Sequence, residues 1–182
     1  MDAERQRVHD RIVDQQRRVD RLLEGRSDDA VGQRPTPERW SLGEHLEHLA
    51  ITTGLYVDLL RDGFALARER GWTGDAPYRR GPVSGLAVRA MEPPVRLKLR
   101  APRIMRPPSD AGRDEVASRF REAHDAFLQV LGDADDVDLG RVLVTSPVTR
   151  LLRFRAIQAC ELVAAHVERH LWLIDVTGAA AE

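Results

Sequence analysis

The stretch W-S-L-G-E-H-L-E-H-L, residues 40–49, decides how this chain folds. Ser41 followed three residues later by Glu44 fits a capping box. In that motif the serine side chain receives the N3 backbone N–H, and the N3 carboxylate reaches back to the N-cap N–H. A helix therefore starts at residue 41. Leu46, Leu49, Leu55, Leu59 and Leu60 carry it toward Arg70. Its first turns hold two histidines, His45 and His48. If Ser41 is the N-cap, Trp40 is N′ and His45 is N4, the two positions that pack together in a hydrophobic staple. That explains His45 in part as a neighbour of Trp40. His48 lies one turn deeper between Leu46 and Leu49, where a polar ring needs a partner.

Outward from this stretch the chain reads as more helices. Val8, Ile12, Val13, Val19, Leu22 and Leu23 form one apolar face over residues 4–24, ended by Gly25 and a segment holding Pro35 and Pro37. Residues 71–112 are crowded with glycine and proline, leaving room only for a short helical turn near 84–91. From residue 79 to 113 there are nine basic residues against two acids, Glu92 and Asp110. A third helix spans residues 113–131 on Val116, Phe120, Ala123, Phe127, Val130 and Leu131. A loop with an extended piece at 142–144 leads to a fourth helix from about residue 152 to Gly178. The fold class is all-α: a four-helix bundle, in a single domain over residues 1–182, with a long proline- and arginine-rich connection between its second and third helices.

Composition narrows the function. The formal net charge of -1 argues against nucleic acid as a partner, although 27 of the 28 basic residues are arginine and Lys98 is the only lysine. GC-rich codon usage is the ordinary reading of that excess. Cys160, the only cysteine, reads as a small core residue and excludes both an intrachain disulfide and a thiolate metal cluster. There is no apolar leader and no stretch approaching a membrane span, so a soluble cytoplasmic protein with no membrane partner is expected.

The chemistry rests on histidine. His166 and His170 stand four apart, on one face of the fourth helix, and two neutral imidazoles so placed can meet one ion. They are not half of a metalloprotease motif. That motif needs glutamate directly after the first histidine, and here Val167 follows, with Glu168 about 200° round the helix from His166. A third ligand must come from another helix, and His48 is the stronger candidate over His45. Glu44 has a capping reading and a second one, as a proton acceptor four residues before His48. Arg169 borders the ligand face, with a surface ion pair to Glu168 or another acid as its ordinary reading. His45 and Arg169 are further candidates to touch a ligand or substrate. His9 and His124 sit at the edges of their stripes and have surface or packing readings.

Trp40-Ser41, Glu44 and His48-Leu49 on one helix, with His166, Arg169, His170 and Leu171 on the last, resemble the DinB-like (damage-inducible) superfamily. The resemblance spans nearly the whole chain. It implies a four-helix bundle, commonly a homodimer, in which His48, His166 and His170 bind one divalent ion at one end. Relatives include bacillithiol S-transferases and mycothiol-dependent maleylpyruvate isomerases. The resemblance thus implies a low-molecular-weight thiol as cosubstrate, activated by the metal. One departure is that Trp172 and Leu173 stand where relatives often carry glutamine.

Three neutral imidazoles leave a divalent ion with open coordination positions. Zinc or nickel is expected first, with iron and copper also suited to imidazole. The expected activity is metal-activated nucleophile chemistry on a small electrophilic substrate, either thiol S-transfer or hydrolysis. The alternative from a different class is a non-catalytic metal-binding or sensor module.

Overall fold

A computed structural model describes residues 1–95, 100–107 and 111–179. Arg96, Lys98 and Asp110 of the basic connection lie outside the described residues. Four long helices dominate: α1 (Ala3–Leu23), α3 (Leu42–Glu69), α5 (Arg113–Gly132) and α6 (Ala156–Thr177). Two short ones, α2 (Asp28–Gly32) and α4 (Pro82–Met91), lie in the connections. α3 packs against α5 and α6, and α1 packs against the same two, which closes the square of a four-helix bundle. Val8, Ile12, Leu46, Leu60, Phe64, Phe127 and Ile157 fill its centre.

α3 starts where the sequence says it should. Ser41 Oγ accepts from Glu44 N at 3.1 Å, and Glu44 Oε2 accepts from Ser41 N at 2.9 Å, completing the capping box. Ser41 is buried, so neither group can turn to water instead. Ser41→Ala is expected to lower stability by about 0.5–2 kcal/mol. At roughly 2–4 °C per kcal/mol for a chain of this size, the midpoint of thermal unfolding should fall measurably. α6 ends on Gly178, whose φ of 73° is the left-handed conformation that favours glycine after a helix.

Three features depart from the periodicity. α2 forms over Asp28–Gly32, capped by Ser27, where the sequence suggested only an irregular stretch. The extended piece is a strand, β1 (Leu143–Thr145), and it pairs antiparallel with β2 (Arg153–Arg155), with Val144 opposite Phe154. The fourth helix accordingly begins at Ala156 and not near residue 152. Its N-cap, Arg155, makes no side-chain capping bond, so no local signal marks that boundary. The short helix α4 lies against α6 and is clamped there by Gln158, which accepts from Gly81 N at 2.7 Å and donates to Gly81 O at 2.9 Å. No helix among the described residues is long and apolar enough to cross a membrane.

Candidate metal centre

α3 and α6 meet through histidines. His45 contacts His170, His48 contacts His166, and Thr52 contacts His166. Ascending positions on one helix meet descending positions on the other, so the two run antiparallel there. One nitrogen each from His48, His166 and His170 lie within 4.8 Å of one another. Nε2 of His166 is 3.3 Å from Nε2 of His48 and 3.1 Å from Nε2 of His170. Two nitrogens each about 2.0–2.1 Å from one tetrahedral ion stand about 3.4 Å apart, so this spacing fits a shared cation.

The remaining ring nitrogens decide which atoms carry protons. His48 Nδ1 lies 2.6 Å from the main-chain oxygen of Met105, a pure acceptor, so Nδ1 is the donor and Nε2 holds the lone pair. Met105 belongs to a single 3-10 turn, Arg103–Met105, so the basic connection folds back to touch the cluster. His166 Nδ1 lies 3.4 Å from Thr52 Oγ1, whose hydroxyl is directed at the carbonyl of His48 at 2.8 Å. Thr52 is thereby left to accept from His166. His170 Nδ1 lies 2.8 Å from His45 Nδ1, and one of the two must donate.

Burial keeps these rings neutral. It pushes His45 down to about 4 and His166 to about 3, and it lowers His48 and His170 as well. The Arg169 cation and the neighbouring rings act in the same direction on His166 and His170. The neutral Nε2 lone pairs of His48 and His166, turned toward each other at 3.3 Å, repel unless a cation stands between them. The donor set therefore suits a divalent metal. His48 and His170 are buried while His166 is half-buried. Trp40 roofs it, its ring centroid 5.0 Å from that of His48 and 6.0 Å, nearly parallel, from that of His170.

Other candidates fall elsewhere. Both oxygens of Glu44 are used by Ser41 and by the Arg34 guanidinium. Burial raises its pKa, but these partners outweigh burial and hold the carboxyl below its usual range. Its contacts are those of the capping reading. Arg169 is buried and not on the surface, while Glu168 meets Arg18 and Gln15. Cys160 is fully buried, its thiol pushed up to about 12, and reads as an inert core residue. His9 meets only its neighbour Asp10 among the described residues.

Sequence reasoning passed over two groups. Thr52 was in principle visible, since a hydroxyl four residues after His48 shares its helical face. Met105 acts through its backbone and left no signal. His124, given an ordinary packing reading, is fully buried. Its Nδ1 donates to Phe120 O at 2.7 Å, and its Nε2 lies 3.3 Å from Thr53 Oγ1. Burial pushes its pKa to about 4, below the unfolded value near 6.5. Between those values the unfolded chain binds the extra proton, so stability rises with pH and is lost on acidification. His124 is expected to contribute a slope approaching ~1.4 kcal/mol per pH unit in that window. Urea melts of the protein and of His124→Gln at pH 7 and pH 5 would show the slope reduced in the variant.

Fold and site together define a helical bundle with a convergent three-histidine cluster between two antiparallel helices. Residues 11–174 match the family description "DinB superfamily". The chain belongs to that superfamily. No curated protein and no solved structure matches it.

Proposed function

We propose that His48, His166 and His170 hold one divalent metal ion and that the chain is a metal-dependent enzyme acting on a small electrophile, by thiol S-transfer or hydrolysis. The observation that carries this reading is the convergence of the three Nε2 atoms, each ring with a partner at Nδ1. The chemistry supplied at such a centre is Lewis acidity, which lowers the pKa of a thiol or a water molecule until it is a nucleophile near neutral pH. The chain's own residues do the rest. Met105 O and Thr52 Oγ1 aim two of the rings, and Trp40 keeps water from the covered side. The half-buried flank at His166 is the side left for a substrate. Arg103 and Arg106, on either side of Met105, are exposed and form no ion pair among the described residues. Two exposed arginines in the turn whose Met105 carbonyl meets His48 support a thiol or substrate bearing a carboxylate.

A second reading has its own support. Two of the three rings are buried beneath Trp40, as suits a metal that only ties α3 to α6. Elemental analysis of the purified protein, followed by reconstitution with Co²⁺ and titration with small thiols, separates the two. A thiol-dependent change in the visible spectrum supports the enzyme. Bound cobalt blind to thiol and to other exogenous ligands supports the structural role. Failure to bind any divalent ion sinks both.

A further inference from the structure

We propose that His45 is a positioning residue for the metal centre: its Nδ1 accepts the Nδ1 proton of His170 and so fixes His170 with its Nε2 lone pair facing the other two rings. This rests on the reading of His48, His166 and His170 as ligands.

The three rings are not held alike. The acceptor for His48 is a carbonyl oxygen, which cannot donate. The acceptor for His166 is a hydroxyl whose proton is already directed at His48 O. His170 alone faces a partner able to play either part, at 2.8 Å. If His45 donates, His170 carries its proton on Nε2, aimed at His166 Nε2 only 3.1 Å away, and the position between the rings is filled by that proton. If His170 donates, its Nε2 is free and the cluster presents three lone pairs. Passing between these states moves protons without changing their number. His45 gives its Nδ1 proton to His170 and gains one on Nε2, while His170 loses the proton on Nε2.

His45 is built to hold this bond. It is buried, its ring meets Trp40 edge-on at 5.5 Å, and it sits 5.1 Å from the His170 ring at 63°. A histidine at N4 of a capped helix is fixed relative to the backbone, so its Nδ1 has little freedom to leave. A staple needs only an apolar surface there, and leucine would supply it. The nitrogen is what His170 requires. Partners of this kind typically change metal affinity by about 10- to 100-fold when removed.

The test compares His45→Phe, which keeps a ring against Trp40 but has no acceptor, with His45→Asn, which restores an acceptor near the same place. Zn²⁺ affinity is measured by chelator competition. The expected result is a 10- to 100-fold loss in His45→Phe that His45→Asn largely recovers, with both metal-free variants folded. Imidazole ¹⁵N spectra of the unsubstituted protein loaded with Zn²⁺ supply a readout that does not depend on the variants folding. They should show His45 protonated on Nε2 and His170 on Nδ1. Wild-type affinity in His45→Phe, or a proton on His45 Nδ1 in the zinc form, would overturn the proposal while leaving the three-ligand reading intact. An unsubstituted protein that binds no Zn²⁺ removes the ligand reading itself, and His45 with it.

Discussion

His166→Ala is expected to weaken divalent-metal binding by roughly 10²–10³-fold while leaving the bundle folded. Structural zinc sites bind with about 10–16 kcal/mol, and one ligand of four carries about a quarter of that. Of the three rings, His166 is the one whose loss disturbs packing least, because it is half-buried whereas His48 and His170 are buried. It is also the ring whose Nε2 contacts both of the others. Metal added at 1,000 times its Kd should stabilise the unsubstituted protein by about 4 kcal/mol. For a chain of this size that is a rise of roughly 8–16 °C in Tm. The variant should keep the metal-free Tm and lose most of this rise at the same metal concentration. Calorimetry with and without Zn²⁺ reads both quantities. An undiminished rise would mean that His166 is not a ligand.

What the sequence disclosed about this site follows the reach of local chemistry. Ser41 and Glu44 announce α3 because capping is an interaction between residues three apart, and the helix begins at Leu42 as the motif requires. His166 and His170 share a face by helical geometry alone. Choosing His48 over His45 as the third member of the cluster needed the staple argument. His45 does pack on Trp40, and it also reaches His170 across 125 residues of sequence, a contact no local pattern shows. The Met105 carbonyl could not be foreseen: every residue has one, and only the folded connection selects it. The ordinary reading of Arg169, a surface pair, fails on its burial. A residue beside a charged neighbour suggests a surface pair, but helical rotation carries Glu168 toward α1 and Arg169 into the interior. The hairpin escaped because Arg153-Phe154-Arg155 is too short to show a period. Its pairing with β1 is settled by contacts eight to twelve residues away.

Phe127→Ala separates the stability of the bundle from the chemistry of the cluster. Phe127 is fully buried in the core, on a helix that packs between α1 and α3. Truncating a buried phenylalanine costs about 3–5 kcal/mol, from lost transfer energy and the cavity left behind. Tm should therefore fall by roughly 6–20 °C. α5 contributes none of the three clustered rings. Among the described residues its hydrogen bonds toward this region are the one His124 Nε2 accepts from Thr53 Oγ1, beside Thr52, and those Arg119 donates to Glu47, beside His48. The rings and the groups that aim them belong to α3, α6 and the turn at Arg103–Met105. Metal affinity of the folded variant should consequently stay within a few fold of the unsubstituted protein, the reverse of the pattern for His166→Ala. A parallel fall in affinity would show that α5 sets the ring geometry through these contacts, so that the site depends on the whole bundle and not on one helix pair with its covering turn.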